Sequence, residues 1–416
     1  MISSCPICSL MFRSGDEVQW HMHHEHHRLT EDEALKLEVR RAVSTQLDWQ
    51  QFTRFAWAKV QPCVSVLVGT VPTGHAGHMA GIDRSWLDHL AANAHDRMAK
   101  VLHPEVLSVM SRRLDKVVAA AEHGPYDKGL ALLVSPHDIG AFRLPLSPRP
   151  RVVVGERFAV RDLLDCLQHY PPYRVLVIGG PHVRLLEGWG GHLYEVASPT
   201  LLAPDTEISP DHWLLSERRQ RALVTEADVI LTERSSPGSE RPLVVVGPPR
   251  LLAVWRQRTS CSSPIIGMVR SHHLEAAPQV IGRLTATVVA SWREAFNAVE
   301  VACLEHAERN GLVKWGLAPA WHALSHRQVS DLWVTRTFVA PPSSPEGEII
   351  LHEEGASALP HCEDLVEELI RAAVTSGARA HFLDEGVIRE GVGAQLSIDR
   401  RAGHLPSEHT LDGALT

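Results

Sequence analysis

Cys5 and Cys8 stand three positions apart, twelve residues separate Cys8 from His21, and His26 follows after four more, so the chain opens as C-x2-C-x12-H-x4-H. Thiolates and imidazoles are the donors that hold Zn2+ tetrahedrally, and a C-x2-C turn brings two sulfurs to one edge of the tetrahedron. A helix then sets two histidines about one turn apart on one face. Phe12 and Val18 fall where so small a module needs its apolar contacts. His24, His26 and His27 compete for the fourth position; His26 is preferred and His27 comes second. These spacings predict a C2H2 zinc finger over residues 1–29, with structural Zn2+ supplying the folding energy that burial cannot give a short segment. A single finger of this kind suits docking on RNA, DNA or protein alike.

The second chemically suggestive set is basic. Arg218, Arg219 and Arg221 in "SERRQR" and, further on, Arg250, Arg256 and Arg258 concentrate guanidinium groups in one region. The guanidinium fork matches phosphate oxygens two at a time, and RNA is often held through its backbone. These six are the candidate RNA contacts; the alternative is a solvated helix face, with Glu217 and Glu226 nearby. "GWGGH", residues 188–192, lies between two β-rich runs and reads as a hairpin turn, whose glycines need left-handed backbone rather than a function. His75 and His78, in a Gly-rich loop, read as solvated. Neither a Gly-rich Lys-Ser/Thr phosphate loop nor a G-x-S-x-G elbow occurs. No catalytic residue is assigned, and the expectation is a protein that is not an enzyme.

The elements that must carry these residues alternate between strand and helix. A helical run over residues 30–60 starts acidic and joins the opening segment to the body. "CVSVLVGT" reads as a strand, two helical runs follow with Pro104 at a helix start, and "GLALLVSP" is the next strand. "YRVLVIGG", "HVRLLEGW" and "HLYEVA" read as a meander. Residues 198–242 are polar and turn-rich, "RPLVVVGPPRLLAVWRQR" is strand, turn and helix, and a long helix covers about 273–310. "DLWVTRTFVA", a Pro/Ser/Gly-rich insertion, the helix "CEDLVEELIRAAVTSGA" stopped by Gly377, and the strands "RAHFLD" and "VGAQLSI" complete the chain.

With 416 residues, 44% of them hydrophobic and 22% charged, the chain is long enough for several domains. No run of eighteen apolar residues and no signal-type N-terminus is present, which predicts a soluble protein without a membrane segment. Of seven cysteines, the five beyond Cys5 and Cys8 are far apart with no framework spacing, which fits a reducing cytoplasm. A formal charge of −8 argues against coating nucleic acid by bulk electrostatics, while leaving local basic faces open.

The succession "VSVLVGT", "GLALLVSPHD", "VVVGERF" and "RVLVIGGPHVRLLEGWGGHLYEV" resembles the bacterial relatives of the archaeal and eukaryotic class-1 peptide-release factors. "PLVVVGPPRLLAVWR" is similar to that family's middle-domain strand and helix, and "EDLVEELIRAAVTSGARAHFLDEGVIREGVGAQLSI" resembles the release-factor and Pelota third domain. The likeness covers about residues 60–398. It implies an α/β (α+β) multidomain fold of three release-factor-like domains behind the finger: 1–29 finger, 30–60 linker helix, 61–171 first domain, 172–284 middle domain, 285–398 C-terminal domain and 399–416 tail. It also implies a ribosome and rRNA partner at the A site, delivery by a translational GTPase, and a role in rescue, stress or hibernation. Hydrolytic members carry Gly-Gly-Gln on a basic loop; Gly190, Gly191 and His192 do not match it, and the Asn-Ile-Lys-Ser decoding motif is missing. The resemblance therefore points to a non-hydrolytic member. The rival expectation is a zinc-finger nucleic-acid-binding regulator on an α/β scaffold, and a third is a hydrolase with an unrecognised His/Asp/Glu site.

Overall fold

The computed structural model describes residues 3–4, 11–12, 30–44, 47–58, 62–69, 84–121, 128–179, 182–190, 192–197, 217–234, 241–341, 364–388 and 390–396. The chain divides into two compact units, Met1–Cys166 with Ala340–Glu368, and Leu167–Val339 with Leu369–Thr416. Among the described residues no helix is long and apolar enough to cross a membrane.

In the first unit, β1 (Ser3–Ser4) and β2 (Met11–Phe12) pair antiparallel. Two helices follow, α1 (Glu31–Ser44) and α2 (Trp49–Ala56), where the sequence suggested one joining helix. A capping box starts α1: Thr30 Oγ1 accepts from the Glu33 amide at 3.2 Å, and Glu33 Oε2 accepts from the Thr30 amide at 2.9 Å. Leu35, Val39 and Ala42, spaced four and three apart, bury that helix in the unit's core. It is thus part of a folded body.

The body of this unit contains β3 (Cys63–Gly69), α3 (Arg84–Val101), α4 (Pro104–Ala121), β4 (Gly129–Val134), β5 (Ile139–Leu144), β6 (Arg151–Gly155) and the start of α5 (Arg161–His169). The strands form an antiparallel sheet in the order β5-β4-β3-β6. Val64, Val66 and Val68 face a core shared with Ala94 and Met98 of α3 and Met110 and Leu114 of α4. Phe142 of β5, which alternates away from Ile139 and Ala141, meets Phe55 of α2 edge-on at 5.5 Å, and Phe55 meets Phe158 at 5.3 Å. Both faces of the sheet are covered, so β3 and β4 are apolar almost throughout rather than alternating. Glu367 also belongs to this unit: it pairs with Arg151 at 3.2 Å and accepts from the Val160 and Arg161 amides at 3.3 and 3.2 Å, which caps α5.

The second unit holds two sheets. β7 (Tyr173–Gly179), β8 (His182–Trp189), β9 (His192–Ala197), β10 (Leu243–Gly247) and β11 (Ile265–Arg270) form the first in the order β11-β10-β7-β8-β9. β7, β8 and β9 are the expected meander, whereas β7, β10 and β11 run parallel. Crossovers supply the helices α6 (Glu217–Glu233) and α7 (Pro249–Arg258). The stretch read as turn-rich thus contains a seventeen-residue helix, because Leu223, Val224, Ala227, Ile230 and Leu231 give it one apolar face.

A thirty-two-residue helix, α8 (Pro278–Arg309), runs for about 48 Å. Its Ile281 and Val289 cover the opposite face of the five-stranded sheet, and its Leu304 and Ala307 pack with Trp333, Leu383 and Ile388. The second sheet combines β12 (Val313–Trp315), β13 (Val329–Thr335), β14 (Arg379–Leu383) and β15 (Val392–Leu396) in the order β12-β15-β13-β14. The helices α9 (Leu317–Ser325) and α10 (Leu365–Thr375) complete the described elements. The chain is therefore a multidomain α/β protein.

The zinc expectation is corrected. A tetrahedral centre requires four donors converging to within about 2.0–2.3 Å of one point. Among the described residues no group of three or more His, Cys, Asp or Glu side chains could hold a metal ion. The expected ligands Cys5, Cys8, His21 and His26 lie outside the described residues, as do His75, His78, most of the Pro/Ser/Gly-rich insertion and residues 399–416. Structural Zn2+ is withdrawn from the account of this protein.

Candidate nucleic-acid interface

The arginines singled out in the sequence lie on two helices that share one face of the five-stranded sheet. Leu223, Ala227 and Ile230 of α6 and Leu251, Leu252 and Trp255 of α7 pack into one cluster with Leu176, Ile178, Val183 and Leu185 of the sheet. With those side chains directed inward, Arg221, Arg250, Arg256 and Arg258 are exposed. Arg218 and Arg219 stand in the first turn of α6; their side chains lie outside the described set. Pro249 opens α7, where a missing amide proton costs nothing, and Arg256 and Arg258 occupy its last turn, where the helix dipole favours cations.

Asp228 ties the two helices together, and sequence reasoning missed it. Its Oδ1 accepts from the Thr259 hydroxyl at 2.6 Å, and its Oδ2 accepts from the Ser260 amide at 2.7 Å and the Ser260 hydroxyl at 2.9 Å. Thr259 is the C-cap of α7, with its amide on the Trp255 carbonyl at 2.8 Å. The latch fixes the end of α7 that carries Arg256 and Arg258. Asp228 stands seven positions after Arg221, so Arg221 lies about 10 Å along α6 from the latch. A signal existed: one aspartate within the apolar run "ALVTEADVIL", and a Thr-Ser pair just after the last arginine.

Other arginines of this unit are drawn into its interior. Arg174 is buried with its Nε on Glu187 at 3.1 Å, and Arg184 places its Nε on Glu195 at 2.9 Å and its Nη1 on the Leu274 and Ala276 carbonyls at 2.6 and 2.9 Å. Those guanidinium groups are consumed by the fold. Exposed guanidinium groups on a braced pair of helices suit the backbone of a structured RNA, which presents phosphates rather than base edges.

Two arrangements bear on hydrolysis. Trp189 and His192 are cross-strand partners, and Gly190, directly after Trp189, has φ +59, so Gly190 serves the hairpin between β8 and β9. In the first unit, Ser111 Oγ lies 3.1 Å from His95 Nδ1 and Asp115 Oδ1 lies 2.8 Å from His95 Nε2. The residue types are those of a nucleophilic triad, but the two ring nitrogens are exchanged, with the serine on Nδ1 and the carboxylate on Nε2. Ser111 sits within α4, however, where neighbouring amides serve the helix and cannot form an oxyanion hole. The trio instead bridges α3 to α4.

No family model matches the sequence, and no curated protein matches it. The chain is similar, at low identity, to solved structures of translation-related release-factor and Pelota proteins. Pelota of Archaeoglobus fulgidus is 13% identical, with 66% of this chain and 80% of that one covered and a TM-score of 0.29. Dom34 of S. cerevisiae, a translation termination-like factor involved in RNA quality control pathways and interacting with Hbs1, is 11% identical over 67% of this chain and 77% of that one, with a TM-score of 0.36. The archaeal translation termination factor aRF1 is 15% identical over 87% and 97%, with a TM-score of 0.21. Likenesses this distant say nothing about activity.

Proposed function

We propose that this protein is a non-hydrolytic ribosome-binding factor of the release-factor superfamily, acting in translational stress, rescue or hibernation in the cytoplasm. The observation that carries the reading is the exposed arginine set on α6 and α7, braced by Asp228 on one face of the middle sheet. The segment-by-segment resemblance over residues 60–398 supports it. On this reading residues 61–171, 172–284 and 285–398 are the three domains of the superfamily, a translational GTPase delivers the protein, and the A-site region of rRNA is the surface it meets. A Gly190 committed to a hairpin turn supports the absence of peptidyl-tRNA hydrolysis.

The deciding experiment is cosedimentation of the purified chain with 70S particles, alongside the Arg218→Glu, Arg219→Glu and Arg221→Glu triple variant. The reading requires the wild type to pellet with ribosomes at low salt and the variant to remain in the supernatant. Failure of the wild type to pellet would remove the ribosome from the account, and equal pelleting of both would remove the arginines. Release of peptide in a purified termination assay would overturn the non-hydrolytic assignment.

A further inference from the structure

His381 lies on β14 beside Trp333 of β13, with ring centroids 5.7 Å apart. Its Nδ1 is 2.6 Å from Glu300 Oε2 of α8, and its Nε2 is 3.0 Å from Asp331 Oδ1 of β13. The same Asp331 oxygen receives Arg379 Nε at 2.8 Å. Ionised carboxylates only accept, so a ring with a carboxylate at each nitrogen must donate from both, and only the imidazolium does so. A neutral ring would turn a lone pair toward a carboxylate oxygen. The His381 side chain is 13% exposed and that of Asp331 is 8%, so bulk water does little to relieve that repulsion.

The charges balance only with the proton in place: Glu300 and Asp331 against Arg379 and His381. Loss of it leaves one uncompensated negative charge beside the buried Asp331, with Arg379, whose side chain is 75% exposed, as the remaining cation. Glu300 belongs to α8, four residues before the Leu304 that packs against the Trp333 cluster. We propose that His381 is a proton-operated clasp, which as imidazolium fastens the C-terminal half of α8 to the four-stranded sheet and, once deprotonated, lets that half loosen.

The electrostatics agree. Burial alone would lower the His381 pKa, but hydrogen bonds to Asp331 and Glu300 outweigh it and raise the value above the usual histidine range. Burial would raise Asp331, yet hydrogen bonds from His381 and Arg379 hold it at about 2. Cys303, the other titratable group of α8 at this cluster, has its thiol pushed up by burial and by Glu300 and Asp331. Because the folded value is raised, the stabilisation is fully present below the unfolded histidine value and is lost as pH rises through the folded one. The clasp is closed below that raised value and opens as pH climbs through it.

The test uses the full chain. Two-dimensional 15N–1H spectra of the imidazole should show both His381 nitrogens protonated at pH 7. Thermal unfolding from pH 6 to pH 9.5 should find the wild type above His381→Gln by about 3 °C or more at the acid end, with the gap closing as pH rises. Glu300→Gln should move the imidazole titration to lower pH. A neutral His381 tautomer at pH 7, or a gap independent of pH, overturns the proposal. Should His381→Gln fail to fold, the wild-type imidazole titration and the Glu300→Gln shift decide the matter alone.

Discussion

Neutralising Arg221, Arg250, Arg256 and Arg258 to Gln tests the arginine surface through its salt dependence, which separates phosphate contact from a folding defect. The four side chains are exposed, so each substitution should alter stability by no more than about 0.5 kcal/mol. If each contacts one phosphate, the slope of log K against log salt should fall by roughly 0.7 per contact on single strands and 0.9 on duplex, about 3 for the set. Between 50 and 200 mM salt, a fourfold change, the wild type should then lose roughly 50- to 150-fold more affinity than the variant. Ribosome binding followed by pelleting across a KCl series supplies both slopes. The corresponding Lys variants keep the charge, so they should retain the slope while binding more weakly through loss of the bidentate fork. Parallel lines for wild type and Gln variant, with folding intact, would refute phosphate contact by these residues.

Asp228→Ala should destabilise the second unit by about 2 kcal/mol, read from chemical denaturation, because it leaves the α7 C-cap without its acceptor. Ribosome affinity should fall as well, even under conditions where the variant is fully folded, since Arg256 and Arg258 lose their bracing; unchanged affinity would show that the latch is structural only. At Gly391, φ is +74 and an added Cβ would meet the Phe338 ring at 2.4 Å. Gly391→Ala should therefore cost more than the roughly 1–2 kcal/mol of a left-handed residue alone, and a loss below 1 kcal/mol would mean that Phe338 moves aside freely.

Much of the fold was legible because local rules and tertiary demands agree. The apolar runs of β3, β4, β7 and β10 read as strands and are strands, the long helix expected at about 273–310 spans Pro278–Arg309, and Pro104 marked a true helix start. α6 was misread because its arginines and glutamates mask an apolar stripe that is visible only once the sheet it covers is known. α1 was read as a joining element, yet its Leu35, Val39 and Ala42 are core. The zinc expectation falls because among the described residues no group of three or more His, Cys, Asp or Glu side chains could hold a metal ion, and spacing by itself only nominates ligands.

Residue type and order, then, determined which segments become strands and helices, and nominated the arginines that could meet phosphate. Tertiary structure alone decided that Asp228 closes on Thr259 and Ser260, 31 and 32 residues away, and that His381 lies between carboxylates 81 and 50 positions distant. The physical reason is range. Backbone propensity and apolar periodicity act over a few neighbours, whereas a hydrogen bond or ion pair between distant residues exists only after packing has supplied the closeness and excluded the water.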